Sequence, residues 1–230
     1  MTSPIDLRLG RWQDTLADVA TCDAVICDSP YSQRTHEATN GHVSGSELPD
    51  GSDRLSIAYA EFSAAHVSEF VSSWSPRCTG WFASMTSHDL IPAWEFAYEA
   101  AGLYAFAPVP IIQKRPRLVG DGPSSWTVYL MVARPRNREF ATWGCLPGAY
   151  EAPTAKGSGI AGCKPLGLMR AIVRDYSRPG DLIVDPFCGS GTTALAAASE
   201  GRRCITSEEL PAHHEIARRR FARGYTPDLF

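Results

Sequence analysis

The sequence lacks several features that would assign it to a membrane or secreted class. It has no run of about 18 apolar residues, which a membrane-spanning helix needs, and its first ten residues lack the basic and apolar blocks of a signal peptide. We therefore expect a cytoplasmic protein with no membrane partner. With 230 residues and 44% apolar content, the chain can bury the core of one domain, which we predict over residues 1–230.

Disulfide and metal-ligand patterns are also missing. The seven cysteines are odd in number and include no Cys-x-x-Cys pair, so we predict neither a disulfide framework nor a zinc site. His213 and His214 are adjacent, so a helix would point them in different directions, away from any common ligand. We interpret both as solvated helix residues and expect no bound metal.

Positive charge is not in excess, since the formal net charge is −3, yet the basic residues are grouped. Such grouping is compatible with a cationic face on an acidic protein. Three clusters stand out along the chain: Lys114, Arg115 and Arg117; Arg134, Arg136 and Arg138; and Arg218, Arg219, Arg220 and Arg223.

Apolar patterns of two kinds alternate along the chain. The continuous run from Ala24 to Cys27 is typical of a parallel strand covered on both faces. Other predicted strands cover 80–85, 104–112, 126–133, 182–184 and 203–207, and predicted helices cover 58–74, 89–102, 166–176, 192–200 and 212–222. This alternation predicts an α/β fold with a doubly wound sheet. Two prolines favour an edge or irregular strand over 104–112, antiparallel to 126–133.

Residues 32–56 show no sustained apolar period and are rich in small polar residues. We predict a long loop here, of a length that in compact domains is usually functional or mobile.

One predicted strand ends in the sequence Asp-Pro-Phe-Cys-Gly-Ser-Gly-Thr-Thr, residues 185–193. Glycines serve where a backbone turns tightly and approaches a ligand, and Glu208 ends the next strand at the spacing of an acid that binds ribose hydroxyls. There is no Gly-Lys-Ser/Thr and no third glycine, which argues against a P-loop and a dinucleotide fingerprint. The pattern indicates an adenosine-nucleoside site.

This stretch resembles the S-adenosylmethionine-binding motif of amino-methylating DNA methyltransferases. The resemblance implies that the loop holds the methionine end of the cofactor and that Glu208 binds its ribose. Lys164-Pro165 matches a Lys-Pro that precedes the motif in that family, in a segment that closes over the methionine end. The implied cofactor residues are therefore Asp185, Phe187, Cys188, Gly189, Ser190, Gly191, Thr192, Glu208, Lys164 and Pro165.

A second stretch, Asp28-Ser29-Pro30-Tyr31, resembles the catalytic Asp-Pro-Pro-Tyr of the same family, with Ser29 in place of the first proline. An exocyclic base amine is a poor nucleophile, and acceptors on both of its hydrogens favour the state that attacks a methyl sulfonium. Asp28 and the Ser29 carbonyl would be those acceptors. Pro30 would stiffen the turn, and Tyr31 would stack on an extruded base.

The order of the two motifs resembles that of the family's β class, which implies a Rossmann-like, mostly parallel sheet with an antiparallel edge strand and a circularly permuted chain. The strand near residues 7–9 should then lie beside the strand ending at Glu208. In the family a Gly-Asp pair follows that first strand. Here Gly10 is followed by Arg11, and the first acid comes only at Asp14.

Double-stranded DNA is the partner that the resemblance implies. Residues 32–56 resemble a loop that closes over the flipped base, and residues 134–163 occupy the position of a short target-recognition segment, which suggests a brief recognition sequence or a homodimer. Arg134, Arg136 and Arg138 are the candidates for phosphate contacts. We interpret Trp143 in that segment as a packed side chain.

The leading hypothesis is a site-specific DNA methyltransferase of a restriction-modification type that methylates adenine N6 by base flipping. Adenine is preferred because an acid begins the catalytic motif in most adenine-specific relatives. Alternatives are an N4-cytosine methyltransferase, an enzyme acting on RNA, and a catalytically inactive S-adenosylmethionine-binding subunit, with a nicotinamide-dependent oxidoreductase more distant.

Overall fold

A computed structural model of the chain describes residues 3–40, 59–117, 125–137, 143–153, 160 and 162–223. The strands in these residues are β1 (Ile5–Leu9), β2 (Cys22–Asp28), β3 (Cys78–Thr86), β4 (Tyr104–Ala105), β5 (Val109–Arg117), β6 (Ser125–Arg134), β7 (Tyr150–Ala152), β8 (Leu182–Asp185) and β9 (Arg203–Glu208). The helices are α1 (Trp12–Thr15), α2 (Gln33–Asn40), α3 (Ala64–Trp74), α4 (Ile91–Ala100), α5 (Leu166–Tyr176), α6 (Thr192–Ser199) and α7 (Pro211–Ala222). A 3₁₀ turn, His88–Leu90, precedes α4.

The strands form one mixed sheet in the order β1-β9-β8-β2-β3-β6-β5-β7, with β4 also paired to β6. Every pairing is parallel except those of β6, which runs opposite to β3, β4 and β5. This arrangement confirms the predicted α/β Rossmann-like class. The chain leaves β8 towards β9 and leaves β2 towards β3, so the strand order reverses between β8 and β2. Open α/β sheets bind ligands at such a point, outside the carboxyl ends of the strands.

The central strand β2 accounts for the apolar run. Ala24 and Ile26 pack in one core cluster with α5 and α6, while Val25 and Cys27 pack in the other with α3 and α4. All four residues are 0% exposed, as expected for a strand with helices on both faces. Both faces of the sheet are therefore covered at the strand that ends in Asp28.

The reversed strand is not at the edge of the sheet, contrary to the expectation. β7 pairs with residues 111–113 of β5 on the side away from β6. The antiparallel strand β6 is therefore an inner strand, and β5 has a neighbour on each side although its prolines had predicted an edge strand. The prediction that β5 and β6 are antiparallel neighbours is confirmed.

Residues 33–40 form α2, where the sequence predicted a loop without regular structure. Much of the support of this helix is local: the Ser32 carbonyl accepts hydrogen bonds from the amides of Thr35 and His36, and Gln33 Nε2 donates to Glu37 Oε1 at 2.8 Å. Such i,i+4 pairs carry no apolar period for a sequence pattern to detect. A ring contact also joins His36 of this helix to Tyr59, with ring centroids 5.1 Å apart. The rest of the predicted loop, residues 41–56, lies outside the described residues.

The amino-terminal strand lies where the permuted order predicts. β1 pairs with β9 in parallel, with Leu9 opposite Glu208, and the Gly10 amide donates to the Glu208 carbonyl at 2.9 Å. The residues after β1 therefore begin at the same edge of the sheet as those after β9. Within the described ranges, no helix has the length and apolar character needed to cross a bilayer.

Candidate active site

Three adjacent strands end in acids at one edge of the sheet: β2 in Asp28, β8 in Asp185 and β9 in Glu208. A cavity of about 590 Å³ opens at this edge, a size usual for small-molecule sites. Of the residues predicted from the two motifs, those lining it are Asp28, Pro30, Lys164, Phe187, Cys188, Gly189, Ser190, Thr192 and Glu208. Ser29, Tyr31, Pro165, Asp185 and Gly191 are not part of this lining.

Asp185 is fully buried beneath the loop that follows β8. Its Oδ1 accepts a hydrogen bond from the Phe187 amide at 3.1 Å. Burial, with smaller contributions from the charges of Asp28 and Glu208, raises the pKa of Asp185 to about 7. A carboxyl in this state favours a neighbouring cation, because a positive charge stabilises its ionised form.

The glycine loop turns on two residues with left-handed backbone, Gly189 at φ 53° and Gly191 at φ 82°. Gly191 is the N-cap of α6, and a Cβ placed there would lie 2.5 Å from the Phe221 ring of α7. A Cβ at Gly189 would meet nothing within 4 Å. The second glycine therefore permits close packing of α7, whereas the first leaves backbone open at the cavity.

Glu208 is tied to this loop. Its Oε2 accepts from the Gly189 amide at 2.7 Å and its Oε1 from the Leu210 amide at 2.9 Å. Burial raises the pKa of Glu208, although the two amides act in the opposite direction. The carboxylate links the ends of β8 and β9 across the floor of the cavity.

The turn after β2 is held by its side chains. The Ser29 hydroxyl, 2% exposed, donates to the Met85 carbonyl of β3 at 2.6 Å. Tyr31 is also buried, and its hydroxyl donates to Asp28 Oδ1 at 3.1 Å. Tyr31 thus contacts the carboxylate through its hydroxyl in this structure, and its stacking on a base stays a prediction.

Lys164, which comes 136 positions after Asp28 in the sequence, contacts the same carboxylate. Its Nζ donates to Asp28 Oδ2 at 2.6 Å and lies 5.0 Å from the centroid of the Tyr31 ring. Pro165 is the N-cap of α5, and its carbonyl accepts from the Met169 amide. The Lys-Pro pair therefore joins the start of α5 to the turn after β2.

A small polar cluster fixes the start of α6. Arg220 Nη1 of α7 donates to Ser190 Oγ at 2.7 Å and to Thr192 Oγ1 at 3.2 Å. Cys163 Sγ lies 2.9 Å from the same Ser190 oxygen. The segment before α5, the glycine loop and α7 are thus held together at the cavity wall.

Of the three arginines predicted to contact DNA, Arg134 and Arg136 lie away from the strand ends that carry the acids. Arg134 follows Ala133, which pairs with Phe82 in the middle of β3, and β6 runs from there towards the amino end of β3, whereas Asp28 pairs with Met85 near the carboxyl end. The guanidinium groups of Arg134 and Arg136 lie 5.1 and 5.5 Å from the centroid of the Tyr104 ring. Arg138 lies outside the described residues.

Trp143 is partly buried and packs edge-on against Trp81, with their ring centroids 5.6 Å apart. The Arg178 guanidinium lies 3.5 Å from the centroid of the Trp143 ring. These contacts confirm that Trp143 is a packed side chain.

Several cavity residues were missed by sequence reasoning. His213 was interpreted as solvated, but its side chain is only 14% exposed and its Nδ1 lies 3.8 Å from Glu208 Oε1. Burial lowers the pKa of this imidazole. Trp12 and Gln13 also line the cavity, whereas Asp14 is exposed and lies outside its lining. The position of Trp12 and Gln13 could have been inferred from the sheet order, because β1 ends beside Glu208.

No metal cluster accompanies these acids: within the part of the chain that the structure describes, no group of three or more His, Cys, Asp or Glu side chains is placed to hold an ion. All seven cysteines are free, and five of them are buried.

Residues 130–219 match the family model for N6/N4 methyltransferases, which is described as DNA methylase. The type II methyltransferase M.EcaI of Enterobacter cloacae is 42% identical over 64 residues, which are 28% of this chain and 14% of that protein. The DNA adenine methyltransferase YhdJ of Escherichia coli K12 is 44% identical over 45 residues, 20% of this chain and 15% of YhdJ. The matches thus span a small fraction of these relatives' lengths.

Solved structures match over a larger part of the chain. The complex of M1.HpyAVI with SAM has a TM-score of 0.61 at 19% identity, covering 94% of this chain and 98% of that one. The PvuII cytosine-N4-specific DNA methyltransferase has a TM-score of 0.62 at 14% identity, covering 100% and 89%. These likenesses concern the fold, whereas the local identities and the family model concern the sequence. Taken together, they make this chain similar to amino-methylating DNA methyltransferases, in sequence over residues 130–219 and in fold over most of its length.

Proposed function

We propose that this chain transfers a methyl group from S-adenosylmethionine to the exocyclic N6 amine of an adenine extruded from double-stranded DNA. The observation that supports this most directly is the convergence of two motifs on one cavity. The carboxylate of Asp28 and the glycine loop with Glu208 lie at the carboxyl ends of neighbouring strands, although about 160 residues of sequence separate them. Since the strand order reverses here, this is where an α/β sheet binds its ligand.

The cavity suits the cofactor chemically. Glu208 offers carboxylate oxygens at the position of a ribose-binding acid, and Gly189 leaves open backbone beside it. The raised pKa of Asp185 suits a positively charged ligand nearby. Lys164 lines the same cavity and would attract an anionic group of the ligand. Bound S-adenosylmethionine supplies an activated methyl group on a sulfonium cation.

Asp28 and Ser29 would prepare the amine. The Asp28 carboxylate and the Ser29 carbonyl each accept a hydrogen bond from the amine. These two bonds localise the lone pair on the amine nitrogen, which can then attack the methyl group of the cofactor. The Ser29 hydroxyl bond to Met85 fixes this turn to β3, so the hydroxyl supplies restraint that a proline would supply through its ring. No covalent enzyme intermediate is needed.

DNA would approach the edge where Asp28 lies. Among the basic clusters, Lys114, Arg115 and Arg117 are on β5, which runs in the same direction as β3 and extends past it. Pro110 pairs with Tyr129, which in turn pairs with the last residue of β3, so exposed Lys114 lies roughly 13 Å beyond that end at about 3.3 Å per residue. We assign DNA backbone phosphate contacts to Lys114 of β5 rather than to Arg134 and Arg136.

Incubation with methyl-labelled cofactor and duplex DNA, followed by nucleoside analysis, tests the proposal. Label in N6-methyladenine is the expected result. Label only in N4-methylcytosine would replace the adenine assignment with the alternative that shares the same amine chemistry. Cofactor binding without methylation of any DNA or RNA substrate would instead favour a non-catalytic subunit.

A further inference from the structure

The Asp28 carboxylate has a partner on each oxygen. Tyr31 donates to Oδ1 at 3.1 Å, and the Lys164 ammonium donates to Oδ2 at 2.6 Å. The Lys164 side chain is 10% exposed and that of Asp28 is 26% exposed. Partial burial strengthens this ion pair relative to one on the surface. The acceptor proposed for the target amine is thus already bonded to a cation of the chain itself.

The proposed reaction brings other positive charge to this place. The methyl donor is a sulfonium cation, and the amine becomes positively charged as it takes the methyl group. An ammonium group left on Oδ2 would repel both and would reduce the attraction that Asp28 exerts on the amine. The ion pair and productive binding of the amine to Asp28 therefore exclude one another.

Lys164 has room and length to change partners. The residue lines the same cavity as Gly189, Ser190 and Thr192, and among the described residues its second hydrogen bond is a local one to the Gly162 carbonyl at 3.1 Å. A lysine side chain has a flexible four-carbon stem and a compact charge, so it can turn without moving the backbone. A cofactor of the amino-acid type brings a carboxylate that could receive it.

We infer that Lys164 is a place-holding cation: it pairs with Asp28 while the cavity is empty and leaves when the cofactor binds, so that cofactor binding exposes the acceptor for the target amine. This inference depends on the proposed function, because it requires a cationic cofactor in the cavity. Lys164 acts through Asp28 and is a positioning residue. The consequence is an order of events, in which cofactor binds before the base can be held productively.

A double-mutant cycle read by cofactor affinity tests the inference. Titration calorimetry with S-adenosylmethionine would be done on the wild type, Asp28→Asn, Lys164→Met and the double variant. Asp28→Asn removes the ion pair that cofactor binding must break. Its effect on cofactor affinity should therefore be more favourable when Lys164 is present than in the Lys164→Met background. We expect the two effects to differ by about fivefold or more, within the usual range for residues in contact.

Equal effects of Asp28→Asn in the two backgrounds would overturn the inference while leaving the proposed function intact, because such additivity means that the pair persists on binding. Failure of the wild type to bind the cofactor would overturn the proposed function itself. Lys164→Gln provides a second neutral variant if Lys164→Met does not fold. Lys164→Arg keeps the charge and should retain most of the coupling, which a purely structural role in packing would not require.

Discussion

The hydroxyl of Ser29 and the carbonyl of Met85 are joined by a buried hydrogen bond of 2.6 Å. This bond links the turn after β2, which carries the proposed catalytic residues, to the neighbouring strand β3, where Asp28 pairs with Met85. A serine at this position therefore does not leave the turn unrestrained. Its side chain replaces by a hydrogen bond what a proline ring achieves by fixing a backbone angle.

Removal of that hydroxyl should loosen the turn. Ser29→Ala leaves the Met85 carbonyl without this donor, and loss of a buried hydrogen bond costs about 1–3 kcal/mol. We expect kcat to fall about tenfold with little change in cofactor affinity, measured by steady-state methylation and calorimetry. Ser29→Pro is the matched control, since it restores restraint by another route and should keep more activity than Ser29→Ala. Equal activity of Ser29→Ala and the wild type would contradict this role.

The two glycines of the loop should respond differently to alanine. Both have positive φ, which costs an alanine about 1–2 kcal/mol. At Gly191 the new methyl group would also lie 2.5 Å from Phe221, and such overpacking adds about 1–3 kcal/mol. Chemical denaturation should therefore show a larger loss of unfolding free energy for Gly191→Ala than for Gly189→Ala. Losses of the same size would show that α7 does not press on the loop.

Cofactor affinity should rise with pH. The pKa of Asp185 is raised to about 7, mainly by burial, so in the empty protein the carboxyl takes up a proton as pH falls through 7. A bound cation favours the ionised form and lowers this pKa, so binding below pH 7 releases a proton. Affinity should therefore rise by at most about tenfold per pH unit as pH approaches 7 and should level off above it.

Calorimetry across this pH range would measure the effect, with Asp185→Asn as the control. The cofactor's own titration is common to both proteins, so the difference between their profiles isolates Asp185. Parallel profiles would exclude the carboxyl as the source. By the same linkage, ionisation of Asp185 should lower the folding stability of the empty protein as pH rises through about 7.

Charge reversal at Lys114 and at Arg136 should show which of the two basic clusters contacts DNA. Lys114 and Arg136 are both exposed, but Lys114 lies on the strand that extends past Asp28, whereas Arg136 lies near Tyr104, away from the strand ends that carry the acids. Lys114→Glu should weaken binding to duplex DNA. It should also reduce the slope of the logarithm of the binding constant against the logarithm of salt concentration by roughly one or more. Arg136→Glu should leave both nearly unchanged. A larger effect of Arg136→Glu would restore the sequence-based assignment of the phosphate contacts.

Strongly patterned parts of the fold were predictable from sequence. The helix over residues 166–176 has the same bounds in the structure as in the sequence prediction, because its apolar period is clear and Pro179-Gly180 follows it. The parallel strand at 24–27 was predictable from its continuous apolar run. By contrast, α2 depends on local polar contacts, and the inner position of β6 depends on where β7 pairs, which no local pattern encodes.

The chemistry of the site was only partly predictable. The motif around Asp28 and the glycine loop could be recognised from residue types, and their convergence on one cavity follows from the sheet order. The ion pair between Lys164 and Asp28 could not be predicted, because 136 positions separate the two residues and their approach depends on the path before α5. The position of Arg134 likewise depends on strand direction rather than on charge pattern.

The central claim is that Asp28 is the acceptor for the amine of a DNA base. The most direct measurement compares genomic DNA from cells that lack their own methylases and express either the wild type or Asp28→Ala, by sequencing that detects modified bases. The account predicts N6-methyladenine at one recurring sequence with the wild type and none with Asp28→Ala, while the purified variant still binds S-adenosylmethionine. Unmodified DNA with the folded wild type, or equal modification with both proteins, would contradict it.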